Sequence, residues 1–99
     1  MNLNEKQKKH LRGLAHGLSP VSWLGTAGIT EPFLAELDAT LKHHELIKLK
    51  VSAASRKDRD QAIESVVLQT GATLITRIGN VAVLYRAAPD GARLELPAA

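Results

Sequence analysis

The stretch with the most chemistry in it is Trp23-Leu24-Gly25-Thr26-Ala27-Gly28-Ile29-Thr30, in which a short apolar run turns through G-x-x-G into a helix start. Two glycines let a backbone pass close to a ligand and take conformations that a Cβ forbids. Thr30 is a natural N-cap for a helix with Glu31 and Pro32 in its first turn. A helix start offers unpaired N–H groups and the positive end of the helix dipole, which suits an anion. Backbone clamps of this form grip single-stranded nucleic acid in KH-type domains. A tight turn with no ligand can have the same spacing, so the motif by itself is weak.

Other phosphate motifs fail on spacing. A P-loop ends in Gly-Lys-Ser/Thr, whereas Gly28 is followed by Ile29-Thr30. A dinucleotide fingerprint needs G-x-G-x-x-G, and only its last two glycines are matched. Glu31, Glu36 and Asp38 along the following helix would repel a nucleoside triphosphate seated at its start. The histidines, His10, His16, His43 and His44, lack the i, i+4 spacing that puts two imidazoles on one helical face, and no cysteine is present to complete a metal set. No metal or other cofactor is expected. His43 and His44 instead suit the C-terminal end of a helix dipole. The chain has no G-x-S-x-G elbow and no thiol nucleophile. Asp58 and Asp60 sit at a helix start, where acids are ordinary. No catalytic residue is assigned and the protein is not expected to be an enzyme.

Charge is unevenly spread along the chain. The net charge is +3, and the first thirty residues account for all of it, with Lys6, Lys8, Lys9 and Arg12 against Glu5. A cationic end points to a polyanionic partner or to a solvated helix face. With no cysteine, nothing calls for an oxidising compartment, and the cytoplasm is the expected location. The amino terminus lacks the apolar segment of a signal peptide, and no run reaches the roughly 18 apolar residues of a membrane span.

The elements that must position these residues follow from periodicity. A first helix is expected over about 3–16, capped by Asn4 with Gln7 in the capping-box position, its leucines 3, 11, 14 and 18 inward and its cations outward. Residues 21–24 read as a short strand. Residues 30–44 form an amphipathic helix with Phe33, Leu34, Leu37 and Leu41 on one face. Residues 46–51 alternate, with Ile47, Leu49 and Val51 facing one way and Lys48 and Lys50 the other. A third helix over 55–69 turns Ala62, Ile63, Val66 and Val67 inward and ends at Gly71, with Leu68 off its apolar face. Residues 72–78 and 81–86 form a hairpin across Gly79-Asn80. Lys48, Lys50, Arg77 and Arg86 are expected on one sheet face together with Ile75 and Leu84. Trp23 and Tyr85 read as core or rim residues, and three aromatics in all make no stacking platform. The predicted order is α-β-α-β-α-β-β, with parallel crossovers followed by an antiparallel hairpin. This gives an α/β fold (a two-layer α+β sandwich) with a four-stranded mixed sheet. One domain spans 1–99, its core at about 3–86 and residues 87–99 a loosely attached tail.

Several segments taken together, QKKHLRGLAH, SPVSWLGTAGIT, HHELIKLKV, RIGN and VLYR, resemble the bacterial YhbY-type proteins, stand-alone CRM (chloroplast RNA splicing and ribosome maturation) domains. The resemblance runs in unbroken order from about Leu3 to Arg86. It implies a fold like the C-terminal domain of translation initiation factor three. It also implies RNA binding, in particular to ribosomal precursor RNA, and association with precursors of the large ribosomal subunit; a monomer is expected. Carried onto this chain, the RNA-binding set is Gly25, Thr26, Ala27 and Gly28 with the cations Lys6, Lys8, Lys9 and Arg12. The alternation of residues 46–51 separately offers Lys48 and Lys50 as RNA contacts, with a solvated strand edge as the other reading. Family loops often hold Lys, Asn or Ser between the glycines. Thr26-Ala27 supplies one hydroxyl and no charge, so the surrounding cations must carry more of the attraction. The alternative is a module that joins a ribosome-assembly particle through a protein surface without touching RNA.

Overall fold

The computed structural model describes residues 3–53 and 55–98, so the outermost bounds expected for the domain, 1 and 99, lie outside the described residues. The elements are α1 (Glu5–Ala15), β1 (Ser22–Leu24), α2 (Glu31–His44), β2 (Leu46–Val51), α3 (Arg56–Thr70), β3 (Thr73–Ile78) and β4 (Val81–Tyr85). This is the expected order. The capping chemistry sets the helix starts. The Asn4 carboxamide accepts the Gln7 N–H at 2.8 Å while the Gln7 side chain accepts the Asn4 N–H at 3.1 Å, a complete capping box. Thr30 Oγ1 accepts from Phe33 N–H at 3.2 Å and Ser55 Oγ from Asp58 N–H at 3.1 Å. Gly71 closes α3 at φ 74, where any other residue would be strained.

The four strands form one mixed sheet in the order β1-β2-β4-β3. β1 and β2 pair in parallel, and β4 is antiparallel to both of its neighbours. β2 and β3 therefore run the same way, as the crossovers predict, with β4 slotted between them. Apolar side chains fill both faces of this sheet. On one face Leu37 and Leu41 of α2 and Ile63 and Val66 of α3 pack on Ile47, Leu49, Val51 and Leu84. On the other, Leu11 and Ala15 of α1 pack on Leu46, Ile75, Val83 and Tyr85. Sheet, α2 and α3 make the expected sandwich, and α1 partly covers its free side. The inward face of α1 is Leu11 with Ala15, one turn apart, while Leu14 and Leu18 stay largely exposed at its margin.

Two further expectations change. Arg77 and Arg86 do not share a face with Lys48 and Lys50. Lys48 pairs across the ladder with Val83, so Leu84 and Arg86 point to the α2–α3 side. A bulge between Leu74 and Thr76 shifts β3 by one residue, which turns Arg77 to that same side. There Arg77 Nη1 meets Asp60 Oδ1 at 2.8 Å and Arg86 Nη1 meets Asp38 Oδ1 at 2.8 Å. Arg86 also donates to the carbonyls of Thr70 and Asp38, tying β4 to both helices.

The tail, expected to be loose, is instead held by Glu45, which is 1% exposed. Its carboxylate accepts the backbone N–H groups of Ala88 at 2.7 Å, Arg93 at 2.9 Å and Leu94 at 2.9 Å. Leu94 and Leu96 then pack beside Leu11, and the Gln7 side chain donates to Pro97 O at 3.0 Å. Nothing in the structure explains Leu68, which is 77% exposed on α3.

Candidate nucleic-acid interface

Parallel pairing of β1 with β2 brings their two following turns to the same end of the sheet, the C-terminal end where open α/β sheets commonly take ligands. The first turn is Gly25-Thr26-Ala27-Gly28, closed by the Gly28 N–H donating to Gly25 O at 3.1 Å. All four residues are exposed. Gly28 has φ 85, a conformation that explains its lack of a side chain. Gly25 has no such constraint, and a Cβ built at either glycine would meet nothing within 4 Å. No internal packing requires Gly25 to be glycine, and the backbone is open to an external group.

Behind this turn lies a cleft of about 370 Å³, lined by Leu24, Gly25, Thr26, Gly28, Ser52, Ala53, Asp58 and Ala62. Its far wall is the first turn of α3, which also carries the exposed Arg56 and Lys57. Sequence reasoning missed these two cations. The parallel crossover it predicted would have found them, because that topology brings the start of α3 next to the start of α2. Asp58 sets a carboxylate in the cleft wall, so a phosphate seated deep inside would be repelled.

The cations predicted from sequence lie on the other face of the sheet. Lys6 and Lys9 are exposed on α1, and Lys8 and Arg12 are half-buried. The Lys8 ammonium stands 4.0 Å from Glu5, at the limit of an ion pair. Lys48 donates from Nζ to Leu18 O at 2.9 Å, which pins the turn after α1. Lys50 is exposed and has no ion pair among the described residues. Helix α1 and the sheet face beneath it thus bring together Lys6, Lys8, Lys9, Arg12, Lys48 and Lys50 against a single acid, Glu5. On the opposite side Asp38 and Asp60 neutralise Arg86 and Arg77. The ion pairs therefore quench Arg77 and Arg86, while Arg56 and Lys57 at the start of α3 stay exposed beside the turn.

Trp23 is also on the cationic side. Ser22 and Leu24 are buried toward α2 and α3, so the residue between them points the opposite way and is 63% exposed. Tyr85, in contrast, is a core residue with a hydroxyl that finds no hydrogen-bond partner among the described residues. Among the described residues no cluster of three or more His, Cys, Asp or Glu could hold a metal ion. No described helix is long and apolar enough to cross a membrane.

Comparison with known proteins identifies the chain's relatives. Residues 3–86 match the family model of the CRS1 / YhbY (CRM) domain. The chain is similar to a Haemophilus influenzae protein named "RNA-binding protein", with 46% identity over 95 residues covering 96% of this chain and 95% of the relative. It is also similar to the "Probable RNA-binding protein YqeI" of Bacillus subtilis, at 33% identity over 96% of this chain and 99% of that protein. Its fold is similar to the solution structure of the hypothetical Staphylococcus aureus protein SAV1595, with a TM-score of 0.81, 35% identity, and 97% of this chain and 100% of that one covered. With a family model spanning nearly all of its length and the same fold in a solved relative, this chain belongs to the CRS1/YhbY (CRM) domain family.

Proposed function

We propose that the protein binds RNA, with the Gly25–Gly28 turn against the sugar-phosphate chain and the cations of α1 and β2 neutralising adjacent phosphates. The observation that carries this reading is the open turn. Gly25 has no packing or conformational reason to be glycine, and its backbone stands bare between the cations of α1 and β2 on one face and the exposed Arg56 and Lys57 of α3 on the other. The names of the relatives support the same class of partner. Recognition would rest on backbone and shape, since the turn carries no group that reads a base edge. The favoured target is ribosomal precursor RNA, with association to large-subunit precursors in the cytoplasm, as a monomer and without catalysis.

The test is binding to deproteinised large-subunit ribosomal RNA, compared with binding to intact precursor particles. The reading expects the naked RNA to bind. Binding to particles alone would overturn it in favour of a module that docks on a protein surface.

A further inference from the structure

Beyond the turn, the cationic face ends in an uncovered strip. Ladder partners Trp23, Lys50, Val81 and Ile78 form one row across all four strands, one residue from each. Trp23 is 63% and Ile78 59% exposed, and Lys50 is exposed between them. Helix α1 does not reach this row, because it packs on Leu46, Tyr85 and Ile75 toward the other end of the strands. The row lies immediately before the Gly25–Gly28 turn, so a chain held at that turn has the indole as its next surface.

We propose that this row seats an unpaired stretch of RNA, with one base stacked on the Trp23 indole, a neighbouring base against Val81 and Ile78, and Lys50 against the phosphate between them. The proposal rests on the RNA-binding reading and adds a preference for single strands. Several features select this occupant. Apolar surface alternates with positive charge along the row, and no acid stands in the row itself, Glu36 of α2 lying with Trp23 along the outer edge of β1; this complements bases that alternate with phosphates. The row is also continuous with the open turn and with Lys48 in the next row. Strands about 4.8 Å apart put Trp23 and Ile78 about 14 Å apart. Four-stranded RNA-binding sheets of comparable width stack two or three bases on aromatic side chains. Base faces are hidden inside a duplex, so only an unpaired segment can use the indole.

Trp23 is the single tryptophan in the chain, so its emission reports on this site alone. The experiment titrates the protein with two end-labelled RNAs, a short single strand of mixed sequence and a blunt duplex of the same length. Label anisotropy and Trp23 emission are followed together. The single strand is expected to quench the emission at the same midpoint as the anisotropy rise, and the duplex to leave it unchanged. Trp23→Ala should weaken single-strand binding about 10-fold, within the range for loss of one stacked base. Trp23→Phe should retain most of the affinity, and neither change should alter duplex binding. If the single strand binds while Trp23 emission stays constant, or if Trp23→Ala binds it within twofold of wild type, stacking is overturned and RNA binding stands. An equal loss on both RNAs also overturns stacking. No anisotropy change with either RNA overturns the stacking proposal together with the reading beneath it.

Discussion

Replacing Glu45 with Gln exchanges one carboxylate oxygen for an N–H donor in a site where three backbone N–H groups converge. The amide can still accept at one oxygen, but its nitrogen then faces another donor, either Ala88 N–H at the Oε2 position or both Arg93 and Leu94 N–H at the Oε1 position. One charge-assisted bond is lost, and the survivors weaken to neutral ones. At about 1.5–3 kcal/mol for a bond to a charged group, the loss should be about 3 kcal/mol. It is capped near that value because the tail can swing into water and hydrate its N–H groups there. For a domain of this size the loss is a sizeable share of a total stability of about 5–15 kcal/mol. Urea unfolding gives the global number, and amide exchange at Arg93 and Leu94 gives the local one, expected to speed up about 100-fold. The pH dependence supplies a second handle. Burial pushes the Glu45 carboxyl up, but the N–H groups of Ala88, Leu94 and Arg93 outweigh it and hold the group below its ordinary value of 4.5. A folded value below the unfolded one means the contribution is complete above about pH 4.5 and disappears as pH falls through the folded value. The Gln variant should lack this part of the acid-side decline. It should keep the part from Asp38, whose carboxyl is held low by its bonds to Lys42 and Arg86. Unchanged stability and unchanged exchange at Arg93 and Leu94 would refute the clamp.

Other substitutions probe the interface and the core. Thr26→Asp with Ala27→Asp adds two charges to exposed positions and leaves the backbone bond from Gly28 to Gly25 in place. With each charge about 5 Å from a phosphate in a high-dielectric setting, at about 0.8 kcal/mol each, RNA affinity should fall about 15- to 20-fold, as measured by filter binding, with the melting temperature unchanged. Equal affinity would show that the turn does not face RNA. Tyr85→Phe removes a buried hydroxyl that has no partner among the described residues, beside the negative Glu45, where burial and that charge push the phenol up. Thermal unfolding should show no loss and up to about 1 kcal/mol of gain. A loss greater than that would mean the hydroxyl is satisfied after all.

How far the sequence alone revealed this molecule depends on the range of the forces involved. The strand 46–51 was plain because Ile47, Leu49 and Val51 meet one core while Lys48 and Lys50 do not, a period of two written locally. Caps at Asn4 and Thr30 are three-residue signals, and each formed the expected bond. β4 offered no such guide. Both of its faces are buried from Ala82 to Tyr85, so its side-chain parity was invisible and Arg86 was put on the wrong face. The bulge near Ile75 misled in the same way for Arg77, since one extra residue in a ladder leaves no mark in composition.

The interface was half legible. The G-x-x-G turn and the basic first helix stood out as local patterns. The exposure of Trp23 did not, because β1 is three residues long and too short for alternation to declare a face. Glu45 was invisible for another reason. Its partners lie more than forty residues away, and a buried carboxylate satisfied wholly by backbone N–H groups has no pairing residue to search for.

The most direct test of the account is the salt dependence of binding to a ribosomal RNA fragment. Engagement of about four to six phosphates by the cationic face predicts that log affinity falls with log salt concentration at a slope of about −3 to −5. A slope near zero, with binding still tight, would contradict the claim that this turn and its lysines hold the phosphate chain.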